Sequence, residues 1–248
     1  MSRPAAPVWI DEGPTSPKRA GRGNSQSRSS NGRAPKKRQK SSSLDRRAMV
    51  DLVGETRADR LLARIDKAAD AYASDRFEEA RSILAPIVSE APDFVESREL
   101  YGLTLYRLGR WKLAAQQLEA FVELSGGSTE QHPVLADCRR ALKHYGQVDR
   151  LWGELKDASP SSELMTEGRI VVAGALADQG KLADAVRLLS QGFRFPKRPG
   201  DHHLRRAYAL ADLYERSGDL PQARMLFERI AHFDDESFDA VDRLRNLS

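Results

Sequence analysis

Three observations predict an all-α fold, a solenoid of about five helix-turn-helix repeats with capping helices, preceded by a disordered tail. Apolar residues recur at helical spacing from residue 44 onward, and no segment has strand period. The stretch Leu100 to Phe121 carries one repeat almost in full. Tyr101, Gly102 and Leu105 share one face of a first helix, Gly109 breaks it, and Ala114, Leu118 and Phe121 line one face of a second. The unit also recurs. Aligned on the small residue of the second helix, Ala80, Ala114, Leu151, Ala185 and Ala223 follow one another at spacings of 34, 37, 34 and 38 residues. Small residues at 102 and 114 let two helix backbones approach closely, but one hairpin cannot bury its apolar face alone, so tandem copies are required.

Residues 1–43 form a Ser-, Pro-, Gly-, Arg- and Lys-rich segment with one aromatic residue, Trp9, too poor in apolar residues to offset the entropy of ordering. As a flexible chain it spans about 35 to 40 Å. Its densest basic cluster is Arg33, Lys36, Lys37, Arg38 and Lys40. Read functionally, this is a phosphate-binding arm whose log affinity would fall against log salt with a slope of about −3.5 on single strands to −4.5 on duplex DNA. Read structurally, it is a solvated tail.

The folded part spans 44–248. A cap at about 44–53 begins where Ser43 can cap a helix and Leu44, Ala48 and Leu52 share a face; Gly54 ends it. The first repeat, 57–92, opens with a capping-box pattern, Thr56 and Asp59, and has Asp75 where a turn glycine is expected. The second, 93–126, starts at Pro92-Asp93 with Glu96 and ends at Gly126-Gly127. The third, 132–160, is degenerate: Gly146 marks its turn, Leu151 holds the small position and Trp152 follows, so its helices are expected to pack further apart or tilt. The fourth, 163–197, starts at Pro160-Ser161-Ser162-Glu163 and shows Ala173, Leu176, Gly180, Ala185 and Leu189. A loop from Pro196 to Gly200 leads to the fifth, 203–235, with Tyr214, Gly218, Ala223, Phe227 and Ile230. A closing cap at 237–247 has Phe238, Val241 and Leu244 on one face.

The net charge of +4 hides an asymmetry, because residues 1–40 hold ten Lys or Arg against Asp11 and Glu12. No apolar run approaches the roughly 18 residues of a membrane span, and Val8-Trp9-Ile10 is too short for a signal peptide. The single Cys138 excludes an intramolecular disulfide and a cysteine-cluster metal site. These features place the chain in the cytoplasm, off membranes.

No constellation argues for an enzyme, a cofactor or a metal. Asp201-His202-His203 matches a metal-binding tripeptide of phosphoesterases, but their further ligands sit at strand ends, and the simpler reading is a helix start capped by Asp201. Cys138 and His144 fall on different faces of one helix, and a small buried core Cys is expected. His132 precedes Pro133 in a loop with no ligand partner nearby. There is no phosphate-cradling glycine loop and no nucleophile elbow.

The repeat pattern of Gly102, Ala114 and Phe121, echoed by Leu210, Ala211, Tyr214, Ala223 and Phe227, resembles the tetratricopeptide (TPR) family, whose period is about 34 residues. Segments such as His132 to Cys138 and Leu210 to Gly218 look like those of actinobacterial tetratricopeptide proteins with a basic N-terminal tail. The resemblance implies a right-handed superhelical solenoid whose first helices line a concave groove. Carried over onto this sequence, the groove positions include Tyr72, Glu99, Tyr106, Arg107, Arg140, Lys143, Tyr208, Asp212 and Arg216. The three tyrosines combine contact area with a polar tip. Arg107, Arg140 and Lys143 suit an acidic peptide or a chain terminus. The expected function is thus a monomeric, non-enzymatic adaptor or scaffold that binds a peptide or helix of a protein partner. The alternative is an RNA-associated factor in which the tail holds phosphates and the solenoid recruits a partner.

Overall fold

The computed structural model describes residues 43–234 and 238–247, and every regular element among them is a helix. Twelve follow in order: α1 Ser43–Val53, α2 Glu55–Ala73, α3 Phe77–Glu90, α4 Val95–Arg107, α5 Trp111–Leu124, α6 His132–Ala141, α7 Tyr145–Ala158, α8 Ser162–Asp178, α9 Leu182–Ser190, α10 Asp201–Ser217, α11 Leu220–Phe233 and α12 Ala240–Asn246. The chain divides into two compact units, one ending at Ala158 with α7 and one running from Ser159 to the C-terminus. The first contains α1 and the pairs α2/α3, α4/α5 and α6/α7; the second contains α8/α9, α10/α11 and α12.

Each of the five pairs turns in the same way. The first helix ends in a residue of left-handed backbone: Asp75, Gly109, Lys143, Gly180 and Gly218 at φ 57°, 68°, 62°, 79° and 85°. The amide of the next residue donates back to the carbonyl five positions earlier, as in Arg110 to Leu105 and His144 to Arg139, at 2.8–2.9 Å in every pair. The turn residue's own amide reaches the carbonyl three positions back, as in Gly109 to Tyr106 at 2.9 Å. These two bonds form the Schellman motif, which satisfies carbonyls that a helix end would otherwise leave open.

The turns fix the register of the repeats. Seven residues before them stand Ala68, Gly102, Ala136, Ala173 and Ala211; five residues after stand Ala80, Ala114, Val148, Ala185 and Ala223; all ten are buried. In the second repeat a Cβ on Gly102 would lie 2.7 Å from Leu118 Cδ2. This register corrects the third repeat. Its turn is at Lys143, not Gly146, which lies inside α7, and its small position is Val148, not Leu151. Counting from the turn, the third repeat follows the second at the same separation as the second follows the first.

Several helix starts also differ from expectation. In α1 the buried residue is Met49, with Val50 and Val53 packed beside it, while Ala48 and Leu52 face solvent. Helix α2 begins earlier, capped at Gly54, so Thr56 lies inside it, and α4 is capped at Phe94, not Asp93; neither has a side-chain cap. At α10 the cap is Gly200, whose amide donates to His203 Nδ1 at 3.2 Å, and Asp201 is the first helical residue. The start of α8 is as expected, with the Ser161 hydroxyl accepting from Leu164 N at 3.3 Å. His132, expected in a loop, opens α6; it is 2% exposed and its Nε2 lies 2.9 Å from Glu154 Oε2.

Candidate functional site

In the first unit, five of the expected groove residues stand on the first helices of consecutive repeats, and each is held by a neighbour. The Tyr72 ring on α2 meets Phe77 edge to face, 5.4 Å between centroids, and Tyr106 on α4 meets Trp111 in the same way at 5.3 Å. Both pairs join the last turn of a first helix to the first residue of the second, so each aromatic closes its own turn. Arg107 lies over the Phe77 ring at 4.5 Å and pairs with Asp75 at 3.4 Å, tying the second repeat to the first. Burial pushes the Tyr72 hydroxyl above its ordinary range, partly offset by the charge and hydrogen bond of Arg107.

One repeat further, the Tyr106 hydroxyl donates to Asp137 Oδ2 at 2.9 Å, and Arg140 Nη1 donates to Asp137 Oδ1 at 2.9 Å. Arg140 is only 6% exposed, a buried cation with a buried carboxylate beside it. Glu99 accepts from Gln131 Nε2 at 2.8 Å. Tyr72, Glu99, Tyr106 and Arg107 are partly exposed, and Lys143 projects from its turn into solvent.

In the second unit the corresponding residues are covered by the chain's own C-terminal segment. Tyr208, 3% exposed, stacks on Phe238 at 5.1 Å, and its hydroxyl donates to the carboxylate of Asp239. Burial, reinforced by that carboxylate, pushes the hydroxyl up. Asp212, 7% exposed, accepts from Arg243 of α12 at 2.8 Å and pairs with Arg216 at 3.5 Å. Arg243 also reaches Glu215 at 2.8 Å and lies over the Phe227 ring at 5.2 Å. Of the three positions carried over here, only Arg216 is open to solvent.

Sequence reasoning misses Asp137, Gln131, Asp239 and Arg243, yet they hold the expected residues in place. A signal for them exists: Tyr106 and Asp137, Tyr208 and Asp239, and Asp212 and Arg243 are each 31 residues apart, a complementary pair recurring at nearly one repeat. The basic tail cluster of Arg33, Lys36, Lys37, Arg38 and Lys40, and Trp9, lie outside the described residues. Cys138 is fully buried in the core, and burial pushes its thiol far up. Among the described residues no three His, Cys, Asp or Glu are placed to hold a metal ion, and no helix is long and apolar enough to cross a membrane.

No protein-family model matches the sequence, and no curated protein matches it. Among solved structures, a thermophilic TPR protein of Thermus thermophilus is similar in fold, with 18% identity and a TM-score of 0.59, over 75% of this chain and 98% of that one. The chain has a tetratricopeptide-like fold.

Proposed function

We propose that this protein is a non-enzymatic scaffold that binds a peptide segment of a protein partner on the face formed by α2, α4 and the turn after α6. The observation that supports this most is the pair Tyr72 and Tyr106, partly exposed on consecutive repeats, each locked against an aromatic residue of its own turn. An aromatic whose rotamer is already fixed loses little entropy when a ligand packs on it. Arg107 and Lys143 add positive charge, with Glu99 on the same helix as Tyr106 as an acceptor for a peptide amide, so an acidic peptide with an apolar anchor is the expected ligand. Arg140, Tyr208 and Asp212 serve the fold from the interior.

The test is selection of peptides from a displayed library against the full-length chain, followed by titration of the winners. Arg107→Glu and Tyr72→Ala should each weaken binding about tenfold or more, in keeping with interface hot spots. Arg245→Ala, at the exposed end of α12, should leave it unchanged. Equal affinity for all four proteins would refute the assignment. Repeating the titration with residues 1–43 removed, and with nuclease-treated protein, separates this reading from one in which the basic tail carries binding through nucleic acid.

A further inference from the structure

The second unit holds an open cavity of about 350 Å³ at the first turns of α8 and α10, walled by the loop that follows α9. That volume falls at the small end of ligand pockets, which run from about 300 to 1,000 Å³. Arg194, Arg206, His202 and His203 line it, with Thr166 and a single carboxylate, Glu163.

Arg206 is the fixed member of this set. Its Nη2 donates to the carbonyls of Leu189 and Gln191, both at 2.7 Å, and its guanidinium lies 5.3 Å from the centre of the Phe193 ring. All these partners are neutral, so its charge is uncompensated. Behind it, Arg169 donates to the same Gln191 carbonyl at 3.4 Å and keeps a buried Nε without a hydrogen-bond partner. Burial, and then the charge of Arg169, lowers the pKa of Arg206 to about 10. Arg194 projects from the loop, exposed, and among the described residues it has neither an ion pair nor a hydrogen bond.

The one carboxylate stands at the start of α8. Backbone amide and Ser161 hydroxyl contacts at the start of α8 hold Glu163 below the ordinary carboxylate range, with His202 contributing through its charge. Two lining guanidiniums, with Arg169 close to one of them, therefore meet one carboxylate. Two such cations left near each other at a partly buried site are unfavourable until an anion joins them. A dianion with several terminal oxygens matches both the excess charge and the number of convergent donors; a monocarboxylate matches neither.

We propose that this cavity is a binding site for a small phosphate monoester, its phosphoryl oxygens taken by Arg194, Arg206 and the two imidazoles and its organic part occupying the remaining volume. Arg194 supplies an exposed donor and Arg206 a fixed one, its field reinforced by Arg169. Glu163 competes with the ligand for the same field.

Calorimetric titration of the full-length chain with inorganic phosphate, glycerol 3-phosphate and acetate tests this. Glycerol 3-phosphate should bind at least as tightly as inorganic phosphate, and acetate about tenfold more weakly or worse. Arg194→Ala should weaken the phosphate ligands about fivefold or more, the loss of one charge-assisted bond, with an unchanged unfolding midpoint because the side chain supports nothing. Glu163→Gln should tighten them severalfold by removing the competing charge. Arg224→Ala, an equal change of charge on α11, should leave affinity within about twofold. The proposal fails if no heat of binding is seen at about 10 mM ligand, if acetate matches phosphate, if glycerol 3-phosphate is excluded while phosphate binds, if Arg194→Ala and Arg224→Ala behave alike, or if Glu163→Gln weakens binding or leaves it unchanged.

Discussion

In the second repeat the turn falls on Gly109 and the helices approach at Gly102 and Ala114; in the third the same three places hold Lys143, Ala136 and Val148. The backbone is nevertheless the same, with the same pair of amide-to-carbonyl bonds closing both turns. The difference teaches what the hairpin needs: the Schellman bonds and a small enough residue at two facing places. Glycine at the turn lowers a local strain but does not create the turn. The third repeat accepts a Cβ at the approach and a lysine in the left-handed region, and it carries a buried ion pair, Asp137 with Arg140, reached by a tyrosine of the repeat before it.

The largest expected effect breaks that ion pair. Asp137→Asn keeps the shape and leaves the buried Arg140 guanidinium without its counter-charge, which should destabilise the first unit by about 2 to 3 kcal/mol in urea unfolding. The contrasting change in the first repeat, Asp75→Asn, removes an exposed carboxylate that pairs with Arg107 and should cost less than about 1 kcal/mol. Equal losses would mean that the two ties are alike and that burial does not set their weight.

Much of this fold is legible in the sequence because a repeat states its rule several times. Ala80, Ala114, Ala185 and Ala223 need no structure to align. The third repeat misleads for a physical reason: glycine is the usual but not the obligatory occupant of a left-handed turn, so Gly146 draws the turn three residues too far and drags the small position from Val148 to Leu151. Residue type is the weaker guide and the separation of 34, which the turns at Asp75, Gly109 and Lys143 keep, the stronger one. The candidate face is half legible. Position within the repeat finds the side chains of the first helices, but not whether a neighbour uses them, so Arg140, Tyr208 and Asp212 read as contact residues until Asp137, Asp239 and Arg243 are seen against them. Of the cavity at the first turns of α8 and α10 only the His202-His203 pair stands out in the sequence, since its arginines come from a helix and an irregular loop with no repeat spacing.

The next effect sharpens the contrast at the helix approach. A Cβ on Gly102 would meet the buried Leu118 side chain at 2.7 Å and its backbone nitrogen at 3.3 Å, so Gly102→Ala should destabilise by about 1 to 3 kcal/mol through overpacking, despite the better helix propensity of alanine. In the third repeat alanine already stands at that place, and Ala136→Gly should cost about 1 kcal/mol for the opposite reason. If both substitutions moved stability in the same direction as propensity alone predicts, close approach would not be what selects Gly102. At the turn, Lys143→Gly should stabilise by about 1 kcal/mol by relieving a left-handed lysine, and Gly109→Ala should destabilise by a similar amount.

The smallest effect concerns pH and the first repeat. The Glu90 carboxyl of α3 is held below its ordinary range by its hydrogen bond and charge pairing with Arg57 of α2, and the Asp59 carboxyl likewise by Arg46 of α1. A carboxyl depressed in the folded state favours folding fully above its unfolded pKa, about 4.3 for Glu, and that contribution disappears as pH falls through the lower folded value. Both pairs are solvent-exposed, so the contribution is small and screened by salt. Glu90→Gln should therefore lower the melting midpoint slightly at pH 7, by an amount that shrinks as pH falls below about 4.3 toward the lower folded value of the native carboxyl. A difference that persisted undiminished into acid would show that the glutamine acts by packing against α2, and exposed ties between helices would then have to be weighed by contact, as the buried one at Asp137 is weighed by charge.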